Sequence, residues 1–278
     1  MGAVTMGSEL PDKRLELLAR IADEVRGCRA CPLHEGTRNA VPGEGNPHAE
    51  VMLIGEAPGQ NEDAQGRPFV GASGQFLTQM LAAAGYPRSE VFIANVAKHR
   101  PPGNRDPMPD EIAACSDFLQ RQVDAINPLV IVTLGRHSMA RYFPGEKISH
   151  IHGQPRIVRG RVVLPLYHPA AALHQGALRK VLEADFSTLP SVVERARRRR
   201  DTVGEAPVAA TPVLGDGPQN AAGVPGSTRV AREVGPVPDA PVQASFGLIG
   251  ITSPDPAPAM PKSEGTPRIT PPRQLPLL

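Results

Sequence analysis

The chain has 278 residues, 40% of them hydrophobic, which is enough for one large domain or two small ones with a buried core. Its formal net charge of +2 is too small to indicate a nucleic-acid-binding protein by charge alone. The sequence contains no apolar stretch of about 18 residues, which excludes a membrane-spanning helix. The N-terminus lacks the apolar core of a signal peptide, and the number of cysteines, three, is odd. We therefore expect a cytoplasmic protein in which a Cys-x-x-Cys motif serves a metal or redox role.

Composition divides the chain into three parts. Residues 1–11 are predicted to be a flexible N-terminus, and residues 12–198, where apolar runs alternate with polar turns, are predicted to form one domain. Residues 199–278 hold nearly half of the 32 prolines and show almost no periodicity. Such a segment cannot bury enough apolar surface to offset its chain entropy, so we predict a disordered Pro-rich tail.

Within the domain, four short apolar runs predict buried strands, and helical patterns lie between them. The runs are continuous rather than alternating, as expected for strands that are covered on both faces. The predicted strands are 51–55, 91–96, 129–134 and 162–167. The predicted helices are 12–25, 74–84, 109–126, 138–142 and 170–182. This alternation predicts a three-layer α/β/α sandwich with a four-stranded, mainly parallel sheet.

Polar residues follow each of the four predicted strands. They occupy residues 55–59, 95–100, 135–136 and 168–169. In parallel sheets, ligands bind in the crevice beyond the carboxyl ends of the strands. We therefore expect these four segments to meet at one site.

Three motifs in these segments carry a specific resemblance. Residues 55–63 read Gly-Glu-Ala-Pro-Gly-Gln-Asn-Glu-Asp, and Gly-Arg-Pro-Phe-Val-Gly follows at 66–71. Asn95 lies within Ile-Ala-Asn-Val-Ala-Lys-His-Arg-Pro-Pro, and His168 begins His-Pro-Ala. In this order, over about residues 14–187, the motifs resemble those of family 4 uracil-DNA glycosylases. The resemblance implies the α/β/α fold of that superfamily and hydrolytic removal of uracil from DNA, the first step of base excision repair, without a lyase step.

The residue types suit this chemistry. An enzyme that cuts a base from its sugar flips the base out of the stack and reads its edge in a pocket. Phe69 offers a surface for stacking, and Asn95 offers the donor and acceptor that match uracil but not cytosine. His168 is placed to donate a hydrogen bond to the charge that develops at uracil O2. Glu56 is the candidate for orienting the attacking water.

Two roles follow from the resemblance alone. The backbone of Ala57 is expected to contact the flipped base, and Glu62 is expected to crowd uracil C5 and so reject the methyl group of thymine. Ala57 stands where other families of the superfamily have an aspartate, so this chain departs from the pattern that would identify the general base. Structural roles stay open as alternatives: a core position for Phe69, a turn cap for Asn95 and a capping carboxylate for Glu62.

Contacts with DNA are assigned to three residues. Arg100 and Arg105 follow the second predicted strand and could bind the phosphate backbone. Leu173 lies near the tip of the loop after His168 and could push into the duplex as the base leaves. The expected partner is uracil-containing DNA, single- or double-stranded, which implies a nucleoid-associated location.

The resemblance also implies a [4Fe-4S] cluster. Cys28, Cys31 and Cys115 match three of the four cluster cysteines, and His99 occupies the fourth position. Imidazole is an accepted ligand of iron–sulfur centres. Zinc bound by the same four residues is the first alternative, and a site without metal is the second. A bound centre is expected to be structural and to hold the N-terminal helix and residues 95–115 beside the pocket.

Other features bear on partners and turnover. The residues from Gln274 to Leu278 resemble the peptide by which bacterial repair proteins bind the replicative sliding clamp, with chance occurrence as the alternative. A neighbouring subgroup carries a Lys-Arg-Arg-Ile-His insertion and bonds covalently to the abasic sugar. His99 is followed by Arg-Pro-Pro-Gly without that insertion, so we expect ordinary turnover without a covalent adduct. Separately, we expect the protein to be a monomer. One functional alternative is a glycosylase for another base, such as hypoxanthine or xanthine. The other is a non-catalytic protein: a reader of damaged DNA, or a domain once used as a partner by a phage-type polymerase.

Overall fold

The computed structural model describes residues 12–203, except for the side chains of His174 and Val203. The predicted flexible N-terminus, the clamp-binding peptide from Gln274 to Leu278 and the predicted tail beyond residue 203 lie outside the described residues. Within residues 12–203, no helix is both long and apolar enough to cross a membrane.

A six-stranded sheet forms the centre of the described part. Its strands are β1 Glu44–Gly45, β2 Val51–Gly55, β3 Phe92–Asn95, β4 Val130–Leu134, β5 Arg156–Val158 and β6 Arg161–Leu166. They lie in the order β1-β3-β2-β4-β6-β5; the central four are parallel, and β1 and β5 pair antiparallel at the edges. The predicted four-stranded parallel sheet is thus the middle of a wider one. The two edge strands escaped prediction because strands of two and three residues are too short to show a pattern.

The helices fill the connections between strands. They are α1 Lys13–Arg26, α2 Gln60–Gln65, α3 Ala72–Ala83, α4 Pro109–Ile126, α5 Arg136–Ala140, α6 Ile148–Ile151, α7 Pro169–His174, α8 Gly176–Ser187 and α9 Leu189–Val203. Short 3₁₀ turns cover Pro32–Gly36, Arg88–Glu90 and Pro102–Asn104. The helix predicted at 170–182 is two helices, because the extended backbone of Gln175 ends α7 and begins α8. Helix α9 continues past residue 198, where the sequence predicted the end of the domain.

Helix α4 shows why some boundaries were readable from the sequence. Pro109 takes the first helical position, where its missing N–H costs nothing. The Glu111 carboxylate accepts a hydrogen bond from the Met108 backbone N–H at 2.7 Å and closes the first turn. Asn127 ends the helix in the left-handed region, at φ 47°.

Helices cover both faces of the sheet, as predicted for an α/β/α sandwich. Alternate residues of each strand point to opposite sides. Leu53 and Val132 pack in a cluster with side chains of α3, α8 and α9. Met52 and Ile131 pack in a second cluster with side chains of α1, α4 and α5. Burial on both faces explains why these strands are continuously apolar in sequence.

Candidate active site

A cavity of about 550 Å³ opens at the carboxyl ends of the parallel strands. Seven of the residues singled out from the sequence line it: Glu56, Ala57, Glu62, Phe69, Asn95, Arg105 and His168. Arg100 and Leu173 are not among its lining residues. All four segments that follow the parallel strands contribute to the wall, because parallel strands present their ends at the same edge of the sheet.

Phe69 forms a fixed aromatic wall of the cavity. Its backbone is in the left-handed region at φ 51°, which is uncommon for a bulky residue. The Arg88 guanidinium donates a hydrogen bond to the Phe69 carbonyl at 3.1 Å and helps to hold this conformation. The centroid of the Phe69 ring lies 5.6 Å from that of His168, so an aromatic face and an imidazole border the same space.

Asn95 is the last residue of β3 and pairs with Gly55 of β2. Its Oδ1 atom is buried and has no hydrogen-bond partner in residues 12–203. A buried polar atom without a partner costs free energy, so an acceptor left open at a cavity wall favours a ligand that supplies a donor.

Gly55 makes room for both of these side chains. A Cβ atom built on Gly55 would lie 2.4 Å from Asn95 Oδ1 and 2.5 Å from the Phe69 ring. Both distances are well below van der Waals contact, so only glycine fits. No sequence pattern indicated this role for Gly55, although its place as the last residue of a buried strand and the first of a motif was a usable signal.

His168 is neutral at ordinary pH and has a defined tautomer. Its Nδ1 atom accepts a hydrogen bond from the Ala170 backbone N–H at 3.1 Å, so the proton must be carried by Nε2. Burial lowers the pKa of His168 to about 4, and the nearby Glu62 carboxylate offsets only part of that shift. Gly135, at φ 88°, allows the close approach, since a Cβ there would lie 3.1 Å from His168 Cβ.

Glu56 belongs to a polar cluster that the sequence did not reveal. Glu56, Asp106 and His137 each place one ligand-type atom within 4.8 Å of the others. His137 Nε2 lies 3.9 Å from Glu56 Oε2 and 3.5 Å from Asp106 Oδ1. Arg136 donates a hydrogen bond to His137 Nε2 at 3.0 Å and also binds Asp106. Burial raises the pKa of Glu56. The neighbouring His137 opposes this rise, and Asp106 adds to it.

The Glu62 carboxylate is buried and bound to backbone amides. Oε1 accepts from Val70 N and Gly71 N, both at 2.8 Å, and Oε2 accepts from Gly59 N at 3.2 Å. These bonds join the start of α2 to the turn that carries Phe69. Glu62 therefore has the capping role that the sequence left open, and it lines the cavity as well.

The residues assigned to DNA contacts differ in their surroundings. Arg105 lines the cavity and forms an ion pair with Glu111, with its Nη2 atom 2.6 Å from Oε1. Arg100 binds the side chain of Asn104 at 2.7 Å. Leu173 lies on α7 with 45% of its surface exposed, which leaves it available for contacts.

The three thiols are close enough to influence one another. Burial raises the pKa of Cys31 and of Cys115, and the charge of Cys28 contributes to both shifts. The Lys98 backbone N–H donates to Cys115 Sγ at 3.4 Å, and burial lowers the pKa of the adjacent His99. Burial disfavours the thiolate form that a soft metal binds, so these thiols would lose their protons only on metal binding; cysteine and a neutral histidine are the donor types that an iron–sulfur cluster or zinc would use here.

Comparison with known proteins agrees with this geometry. Residues 42–186 match the family model of the uracil DNA glycosylase superfamily. A type-4 uracil-DNA glycosylase of Sulfurisphaera tokodaii is 50% identical in an alignment of 194 positions that covers 66% of this chain and 88% of that protein. One of Archaeoglobus fulgidus is 45% identical in an alignment of 184 positions that covers 63% of this chain and 92% of that protein. The chain therefore belongs to the uracil DNA glycosylase superfamily and, within it, to the type-4 enzymes.

Proposed function

We propose that this protein hydrolyses the N-glycosidic bond of uracil in DNA and leaves an abasic site, without cutting the strand. The observation that carries the proposal is the arrangement of Phe69, Asn95 and His168 around one cavity. Family membership supports the same activity. The proposed location, which follows from the proposed substrate, is beside the chromosome in the cytoplasm.

Recognition of the base begins with its removal from the stack. The flipped uracil stacks on the ring of Phe69, and Oδ1 of Asn95 accepts the uracil N3–H while its Nδ2 donates to O4. Cytosine has no proton on N3 and carries an amino group at C4, so it would leave both atoms of the amide mismatched. The Ala57 backbone contacts the base from the same wall, and Glu62 and the turn it holds close the side that faces C5.

Bond cleavage requires charge stabilisation on both fragments. As the bond between C1′ and N1 breaks, its electron pair moves to uracil and negative charge develops at O2, where Nε2–H of His168 donates a hydrogen bond. The neutral imidazole can fill this role because its single proton is on Nε2, the atom left free to donate. The Glu56 carboxylate orients a water that attacks C1′ and takes up the proton that the water releases.

The remaining assignments concern DNA and the metal. Arg100 and Arg105 contact phosphates, and Leu173 enters the duplex at the position of the flipped base. The residues that hold a [4Fe-4S] cluster are Cys28, Cys31, His99 and Cys115, with zinc as the alternative. The centre is structural and supplies no step of the reaction.

Docking on the sliding clamp through residues 274–278 is a separate proposal, and unchanged clamp affinity after their deletion would refute it.

Release of free uracil from an oligonucleotide with a single uracil tests the activity. We expect release by the wild type, none from the matching cytosine or thymine oligonucleotide, and an intact strand before alkali treatment. Asn95→Ala and His168→Ala should each lower kcat at least about 100-fold, as the loss of one transition-state hydrogen bond does. Release of hypoxanthine but not uracil, or a denaturation-resistant adduct with DNA, would contradict the proposal.

A further inference from the structure

Lys98 is a buried charged residue that the proposed reaction does not use. Its side chain is fully buried and is among the largest fully buried side chains in the described residues. Burying an ammonium group is costly unless every N–H has an acceptor. A lysine that stays in such a place therefore needs a structural or functional reason.

All three N–H groups of the Lys98 ammonium have acceptors. Nζ donates to the backbone oxygen of Asn95 at 3.0 Å, to that of Pro42 at 3.2 Å and to Oε1 of Gln122 at 2.8 Å. Gln122 in turn donates to the same Pro42 oxygen at 2.8 Å. The ammonium thus joins the end of β3, the loop at Pro42 and helix α4 at one point.

The Asn95 contact connects this network to the cavity. Asn95 Oδ1 has no partner among residues 12–203, so no hydrogen bond to that oxygen holds the amide, and the position of its backbone helps to decide where it points. The next two residues are tied to the end of β2, through Val96 N to Gly55 O at 3.1 Å and Ala97 N to Glu56 O at 3.0 Å. Lys98 adds a bond to the carbonyl of Asn95 itself and, through Gln122, connects that carbonyl to helix α4.

We propose that Lys98 is a positioning residue for uracil recognition, whose ammonium fixes the Asn95 backbone so that the amide faces the cavity before the base arrives. This inference rests on the proposed function, since it concerns the same pocket. A preset amide avoids the ordering cost that a mobile one would incur on binding. Misplacement of a recognition group by about 1 Å can cost about 100-fold in rate, which sets the expected scale.

A double-mutant cycle between Lys98 and Asn95 tests the proposal on the metal-loaded full chain. Lys98→Met should lower kcat/KM for the uracil oligonucleotide about 10- to 100-fold. In an Asn95→Ala background the same change should cost less than about 3-fold, because the residue through which Lys98 acts is gone. Equal losses in both backgrounds would mean that Lys98 does not act through Asn95 and would overturn the inference.

Two further variants separate positioning from stability. Lys98→Met leaves Oε1 of Gln122 without a donor, and Lys98→Met/Gln122→Leu removes that oxygen but also the last donor to the Pro42 oxygen, so both variants should unfold at a lower temperature than the wild type and both should lose kcat/KM. Ile126→Ala opens a core cavity in the same helix α4 and should lower the unfolding temperature with kcat/KM unchanged. A loss of kcat/KM in Ile126→Ala as large as that in Lys98→Met, at a similar drop in unfolding temperature, would show a merely structural lysine.

An activity-independent measurement keeps this inference distinct from the proposed function. In ¹⁵N-labelled protein, the side-chain amide signal of Asn95, assigned by its loss in Asn95→Ala, should shift in Lys98→Met and stay unchanged in Ile126→Ala. An unshifted signal in Lys98→Met would overturn the inference. Absence of uracil release by the wild type would instead refute the proposed function, whatever the signal does.

Discussion

At the scale of single residues, His168 shows how burial and one hydrogen bond choose a protonation state. The Ala170 N–H occupies the lone pair of Nδ1, and burial lowers the pKa of the ring to about 4. Protonation would place a second N–H against that of Ala170. The folded protein therefore disfavours the protonated form of His168, and the neutral ring is the hydrogen-bond donor in the proposed reaction.

This shift makes folding stability depend on pH. An unfolded histidine binds a proton near pH 6.5, whereas His168 in the folded protein does so only near pH 4. The unfolded chain thus gains protons first as the pH falls, so the stability is complete above pH 6.5 and is lost towards pH 4. We therefore compare the change in the free energy of unfolding from pH 7 to pH 5, measured by chemical denaturation, in two proteins. The decrease should be about 2 kcal/mol smaller for His168→Asn than for the wild type. Equal losses in the two proteins would contradict the buried, neutral ring.

The proposed base gives a second prediction for pH. Burial raises the pKa of Glu56, and the neighbouring Asp106 adds to the rise. Since the base must be ionised to orient water, its pKa sets the acid limb of kcat/KM. Asp106→Asn removes one negative charge and should move that limb to lower pH, whereas His137→Gln should move it to higher pH. Shifts in the same direction for both variants would exclude Glu56 as the titrating group.

At the scale of elements, the end of β2 is shaped by what Gly55 lacks. Its missing side chain leaves the space that the Asn95 amide and the Phe69 ring occupy. Gly74, in the first turns of α3, plays a similar part, because a Cβ there would lie 2.0 Å from the Phe69 carbonyl. Two glycines on different elements therefore determine where the aromatic wall stands.

Gly55→Ala should disable the pocket while leaving the fold intact. The added methyl group would displace Asn95 or Phe69, and overpacking of this kind typically costs about 1–3 kcal/mol of stability. We expect kcat/KM for the uracil oligonucleotide to fall at least about 100-fold, with circular dichroism unchanged. Gly85→Ala is the control, because a Cβ atom on Gly85 would have no atom within 4 Å. Alanine at the positive φ of residue 85 should lower stability somewhat, but it should leave the cavity unchanged. Near-normal activity of Gly55→Ala would show that the cavity can expand.

The sequence predicted elements well where a local signal existed. Strand β2 was found with its observed bounds because burial on both faces makes it continuously apolar, and α4 because Pro109 marks its start. The break at Gln175 has no comparable signal, since it depends on the packing of two short helices. Asp106 and His137 are likewise distant in sequence, and only the fold brings them to Glu56. A cluster of residues that are distant in sequence cannot be predicted from their spacing, because only the folded chain shows that they are in contact.

At the scale of the whole molecule, helix α1 is fixed to α4 by contacts that need no metal. Arg121 of α4 binds Glu24 of α1 through its Nη2 atom at 2.8 Å, and Arg14 donates to the Ile126 carbonyl at 3.3 Å. Leu18 of α1 packs in the same cluster as side chains of α4. A metal centre at the cysteines would therefore reinforce one end of an existing interface, where α1 gives way to the loop that carries Cys28 and Cys31.

This arrangement predicts the outcome of losing a ligand. Cys115→Ala should lose bound iron and the visible absorbance of the cluster, yet keep the sheet, because the α1–α4 contacts remain. A cross-link of this kind contributes at least about 3 kcal/mol, as a disulfide does. In a domain of this size that loss would lower the unfolding midpoint by roughly 6–12 °C. Ser116→Ala, one position further along α4, is the control and should keep both iron and midpoint. Stoichiometric zinc in a colourless wild-type protein would replace the cluster with its alternative, and an unchanged midpoint in Cys115→Ala would remove the structural role.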